Sequence, residues 1–219
     1  MTGINLKAAL AKAFAETAYM SGISLLIAVI AGGSLGLFLY VTNSPLFVRN
    51  RLVNQTAGII INITRSIPFM ILLVLLLPLS KLVVKTSIGP SAVVLPLSIA
   101  AVAFFARLSD ASFSDVNQGV IEAAVSTGAS KIKVVFQILL PEALPSLVRN
   151  ITVTAVSLIG FSAMAGTVGG GGIGDLAIRY GYQRYQTDVM FICVALLIVL
   201  VQGIQLLGDL IANRLDKKR

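Results

Sequence analysis

From residue 17 to residue 41 the chain carries no charged side chain. Coiled as a helix, a run of that length crosses the roughly 30 Å hydrocarbon core of a bilayer. Lipid offers no hydrogen bonds, so a spanning backbone must pair its N–H and C=O groups internally, and a single segment does this only as an α-helix. Comparable apolar stretches recur at about 57–79, 90–106, 143–167 and 189–211. The expectation is an all-α integral membrane protein of five transmembrane helices, forming one domain over residues 1–219.

Composition closes off the soluble alternatives. The chain is 57% hydrophobic and 12% charged, far from the balance of a water-soluble domain of this length. A net charge of +8 suggests nucleic acid as a partner, but the basic residues flank the apolar runs, as in loops that stay on the cytoplasmic side. No nucleic-acid partner is therefore expected. Cys193 is the one cysteine, so an internal disulfide is excluded. With no histidine and no cysteine cluster, a transition-metal site is not expected either. The first apolar run is too long for a signal peptide and lacks a small-residue cleavage site.

Several residues punctuate the spans. Gly32 and Gly36 form a GxxxG pair that permits close helix approach. Pro68 and Pro78 predict a bent helix over 57–79, with Arg65 near an interface or facing protein, because a charge in mid-membrane is costly. Pro96 predicts a kink in the third span, and Arg107 its end. Pro145 is expected in the first turn of the fourth.

The polar stretch at 121–141 reads as two short helices with a break at Gly128, where a helix C-terminus favours a left-handed residue. Ser130 is placed to cap the second, with Ile132, Val135, Phe136 and Leu139 along one face and Pro141 stopping it. The spacing of Glu122-Ala123-Ala124, then Gly128, then Ile138, Leu140 and Pro141, resembles the EAA signature of ABC-importer transmembrane subunits. The resemblance implies a coupling helix between helices 3 and 4 that docks into a cleft of a cytoplasmic ATPase. Small alanines would let the partner come close, Gly128 would allow the turn, and Glu122 would offer an anionic contact.

Placing that loop in the cytoplasm puts Arg49, Arg51, Arg65, Arg107, Lys131, Lys133, Arg149, Arg214, Lys217, Lys218 and Arg219 inside, eleven of the 17 basic residues. The N-terminus is then outside and the C-terminus cytoplasmic. Gly169, Gly171 and Gly174 fit G-x-G-x-x-G, but no strand precedes them, and the topology puts them outside the cell. The sequence holds no Walker lysine motif, so ATP and Mg are expected on a partner. Ionisable groups are scarce within the spans, which argues against a proton- or sodium-coupled carrier. A nucleophile with its base is not recognisable, which argues against an enzyme.

Beyond the loop, residues 62–69, Thr86-Ser87-Ile88-Gly89, residues 139–145 and 160–166, and Arg179-Tyr180-Gly181-Tyr182 resemble methionine-importer permeases. The likeness takes in most of residues 17–215 and departs at Phe161, where the family has a tyrosine, and at Ala165, where it has a glycine. It implies a homodimer in the bacterial inner membrane, bound to two ATPase copies and fed by an extracytoplasmic binding protein. It also implies a central path lined by the fourth spans, with Phe161, Ser162 and Met164 in it. A permease for another amino acid or glycine betaine, and a stand-alone channel or carrier, remain as alternatives.

Overall fold

The structure is a computed structural model that describes residues 6–216. Lys217, Lys218 and Arg219, counted above among the cytoplasmic charges, lie outside the described residues. Eight helical elements follow in order: α1 (Leu6–Asn43), α2 (Arg51–Ser66), α3 (Phe69–Val84), α4 (Pro90–Ser114), α5 (Gln118–Ser126), α6 (Lys131–Gly166), α7 (Gly172–Leu176) and α8 (Thr187–Leu215). Wide π-type turns sit inside α1 at Ala28–Gly32 and inside α6 at Val135–Leu139, and another follows α7 at Ala177–Tyr182.

Helix α4 is the hub. It packs against α1, α2, α3 and α6, and its buried residues run from Ala92 to Phe113. Met20, Leu73, Leu97, Phe105 and Leu158 bring α1, α3, α4 and α6 into one core. Gly32 and Gly36 are the reason α1 can lie so close to α4. A Cβ on Gly32 would stand 2.9 Å from the Val102 carbonyl oxygen, and one on Gly36 would stand 2.5 Å from the Ser109 Cβ. Buried hydroxyls link the same helices, Ser24 Oγ donating to the Val94 carbonyl at 3.3 Å and Ser98 Oγ to Ser24 Oγ at 3.3 Å. Helix α8 lies against α6 and leaves Phe191, Val199 and Leu206 exposed, an apolar surface suited to lipid.

Among the described residues, four helices are long and apolar enough to cross a membrane: α1, α4, α6 and α8. The second apolar region is not one bent helix over 57–79. It is two helices, α2 and α3, meeting at 105°. Pro68 has no N–H to give the Thr64 carbonyl and disfavours helical geometry in Ile67, which is extended at ψ 124°. Pro78, by contrast, stays inside α3. Counted as one broken crossing, the pair makes five. It joins the two ends of the bundle, since the Asn50 N–H reaches the Thr42 carbonyl at one end and the Gly89 N–H the Gly169 carbonyl at the other.

Three other boundaries move. Arg107 does not end the third span, and α4 runs on to Ser114. The guanidinium is accommodated there because it reaches Asp110 at 3.3 Å, the Gly58 carbonyl at 3.2 Å and Asn62 Oδ1 at 3.2 Å. Pro141 does not stop the helix it follows, and Pro145 lies in the helix interior, not its first turn. The π turn at Val135–Leu139 loosens the ladder just where Pro141 removes a donor, so α6 continues through both prolines. The glycine run is a packed turn, with Gly174 against the Ala163 backbone and Gly170 against Ala165.

Gly36→Val is expected to lower the stability of the purified protein by about 1–3 kcal/mol through overpacking against α4. Gly22→Ala in the same helix, where a Cβ meets nothing within 4 Å, should leave it unchanged or slightly raised. Thermal unfolding of the two variants in one detergent checks the contrast.

Candidate functional site

Two features stand out, a hairpin at one end of the bundle and a cavity at the α2–α3 break. The hairpin begins at Asn117, whose Oδ1 accepts the Gly119 N–H at 2.9 Å and so caps α5. It turns in a Schellman arrangement: the Gly128 N–H bonds the Val125 carbonyl at 3.0 Å, and the Ala129 N–H the Ala124 carbonyl at 3.1 Å. Gly128 has φ +85°, the left-handed value that favours glycine. Ser130 holds the N-cap position in an extended conformation but makes no capping bond through its side chain.

The hairpin is bolted down by one face. Ile121, Val134 and Leu139 are fully buried in a cluster with Tyr40, Phe47, Phe113 and Val116. Lys131 Nζ adds a hydrogen bond of 2.6 Å to the Phe47 carbonyl. What remains outward is Glu122, Ala123, Gly128 and Pro141, with Ala124, Ile138 and Leu140 partly covered. Ile132 and Phe136, expected on one face with Val135 and Leu139, are 72% and 63% exposed, whereas Leu139 is buried. The π turn explains the shift. Buried Val134 and Leu139 are one π turn apart, a spacing that a regular 3.6-residue period cannot reveal. The exposed surface thus mixes small, anionic and large apolar groups on a fixed frame.

The cavity lies deeper in the bundle. Its volume is about 310 Å³, and Thr64, Arg65, Ile67, Pro68, Phe69, Leu72, Ala100, Phe104 and Phe161 line it. Phe161 stacks on Phe69 with ring centroids 4.6 Å apart and an interplanar angle of 18°. Arg65 lies over the Phe104 ring at 5.9 Å. The residues grouped above as a path do not share one face. Ser162 is buried and donates its hydroxyl to the Ile159 carbonyl at 2.8 Å, whereas Met164 is 48% exposed. Of the three, only Phe161 reaches the cavity.

At the end of the bundle opposite the hairpin, Glu16 accepts the Gly172 N–H at 2.8 Å and Thr17 Oγ1 accepts the Ile173 N–H at 2.9 Å. These bonds fasten α1 to the glycine turn, where Gly171 and Gly172 have φ +80° and +83°. The sequence separation of 156 residues hid both contacts from sequence reasoning. The Arg65–Phe104 and Phe69–Phe161 contacts were likewise hidden, since Pro68 signals a bend but not which rings the bend brings together.

A polytopic helical bundle with a broken crossing, an apolar cavity at the break and a rigid hairpin on one end is built as a membrane permease. The chain belongs to the family described as binding-protein-dependent transport system inner membrane component, whose model matches residues 24–219. It is 44% identical over 203 residues to a probable D-methionine transport system permease protein MetI of Vibrio cholerae, covering 93% of this chain and 90% of that one. It is also 44% identical over 180 residues to the methionine import system permease protein MetP of Bacillus subtilis, covering 82% and 81%. A solved chain of the MetNI methionine ABC transporter in an inward-facing conformation superimposes with a TM-score of 0.95 at 38% identity, over 99% of this chain and 100% of that one.

Because a Cβ at Gly128 would meet no atom within 4 Å, the cost of replacing this glycine is conformational alone. Gly128→Asn should be nearly neutral, while Gly128→Val should destabilise the hairpin by about 1–2 kcal/mol. Protease nicking confined to residues 118–134 in the valine variant, with unchanged membrane insertion, is the expected readout.

Proposed function

We propose that this chain is the transmembrane permease subunit of an ATP-driven importer for methionine, in its D and L forms. The observation that carries the reading is 44% identity to the V. cholerae MetI over 93% of the chain. The permease works as one transmembrane domain in the bacterial inner membrane, paired with a second copy of itself. Two copies of a cytoplasmic ATPase bind the ATP and Mg, and an extracytoplasmic binding protein delivers substrate. The N-terminus is outside, and the C-terminus and hairpin are cytoplasmic, which agrees with the basic residues Lys131 and Lys133 on the hairpin.

In this reading the hairpin is the coupling element. Glu122, Ala123, Ala124 and Gly128 meet the ATPase, and Ile132 and Phe136 add apolar contact area beside them. Ile138, Leu140 and Pro141 carry motion from the hairpin into α6. Closure of the ATPase pair moves a body that Ile121, Val134 and Leu139 lock to the rest of the bundle, so displacement is passed on rather than absorbed. Alternating access follows from rocking the helices about the path, near which Phe161, Ser162 and Met164 lie.

Vesicles holding the chain with its ATPase and binding protein should take up labelled methionine only with ATP, and unlabelled methionine should compete better than other amino acids. ATP-dependent uptake of a different solute would overturn the substrate, and uptake without the ATPase would overturn the importer. In the same vesicles Phe136→Asp should keep insertion but lower uptake at least about tenfold, by placing a charge where apolar contact is needed. Unchanged uptake in that variant removes Phe136 from the coupling surface.

A further inference from the structure

We propose that the cavity at the α2–α3 break is a transit site for the substrate inside the permease, with Arg65 holding its carboxylate and the Phe69–Phe161 pair its side chain. This rests on the importer reading above and adds a binding site to it.

The argument begins with charge. Arg107, Arg149 and Arg179 each pair with a carboxylate, Asp110, Asp216 and Asp175 respectively. Arg65, like Arg49, Arg51, Arg184 and Arg214, has no carboxylate partner among the described residues; it is set apart by lining the cavity, where its contact is the face of Phe104. A guanidinium left with an aromatic face keeps its forked donors for a planar anion, and a carboxylate matches that fork. The other walls are apolar or aromatic, apart from the Thr64 hydroxyl, which is already committed to the Ile60 carbonyl at 3.0 Å. One cationic pole in an otherwise apolar pocket selects a small molecule with one anionic end and an apolar body.

Size and ring chemistry narrow it further. A volume of about 310 Å³ is at the lower end of small-molecule pockets, typically ~300–1,000 Å³. The stacked rings of Phe69 and Phe161 offer edges and faces that attract a thioether sulfur. A lipid headgroup phosphate is also an anion that Arg65 could hold. The cavity, however, reaches Ala100 and Phe104, well inside α4, and Phe69 of the buried core, whereas headgroups lie at the bundle ends.

The test uses the permease assembled with its ATPase in nanodiscs, either of phosphatidylcholine alone or with phosphatidylglycerol added. The probes are labelled L-methionine and L-methioninol, in which a hydroxymethyl group replaces the carboxylate. In neutral discs the unaltered protein should bind methionine at least about tenfold tighter than methioninol. Arg65→Gln should weaken methionine by a similar factor and erase the discrimination. Arg65→Lys should restore part of it, and Phe161→Leu should weaken both probes alike. Equal binding of the two probes by the unaltered protein overturns the site, even where Arg65→Gln fails to assemble. So does a gain in thermal stability with phosphatidylglycerol that Arg65→Gln abolishes while methionine binding is unchanged, since Arg65 is then a headgroup contact. ATP-driven methionine uptake by the unaltered importer, measured alongside, separates the two readings. Uptake without carboxylate discrimination sinks only the site, and absence of uptake sinks the importer.

Discussion

A backbone in hydrocarbon must satisfy its own hydrogen bonds, and most of this structure follows from how the chain meets that demand. Long helices α1, α4, α6 and α8 meet it within themselves, accommodating π turns in α1 and α6 and prolines in α4 and α6. Among the described residues, the one sharp break within an apolar region falls at Ile67–Pro68, where Ser66 and Pro68 stay exposed on one side while on the other Phe69 is buried in the core and Phe161 stacks on it. Irregular backbone at that depth is tolerated where it lines a cavity, and a cavity is what the break lines. The feature that is costly to build is thus also the one with chemistry in it.

Close approach of helices is the second dependence. With lipid on the outside, tight packing holds a bundle together better than apolar burial does. Gly32 and Gly36 bring α1 onto α4, and Gly208 does the same for α8 against Thr152 of α6. Around this dense centre the two ends are fastened by polar contacts. Glu16 and Thr17 hold the glycine turn at one end, and Lys131 holds the Phe47 loop at the other. The hairpin is thus joined to the bundle by a buried apolar face and a hydrogen bond.

Much of the fold was legible in the sequence because hydrophobic length is a one-dimensional signal. The uncharged run over 17–41 reads as a helix from composition alone, and Gly128 reads as a left-handed turn from residue type alone. Boundaries were less legible. Arg107 looked like a stop because a lone charge is costly, and its partners Gly58 and Asn62 come from another helix. Pro141 looked like a stop because a proline breaks a regular helix, and the π turn that absorbs it has no separate sequence mark.

The sequence by itself determined the class of the molecule, most of the long helices and the hairpin turn, since each depends on local composition and spacing. The tertiary structure decided which faces those residues occupy. It turned Ile132 and Phe136 outward, buried Ser162, left Met164 exposed and set Arg65, Phe104, Phe69 and Phe161 around one cavity. These outcomes depend on a register shift of one π turn and on a 105° bend. Pro68 signals the bend locally, but which rings and faces it brings together depends on how helices distant in sequence pack, and neighbouring residues do not encode that.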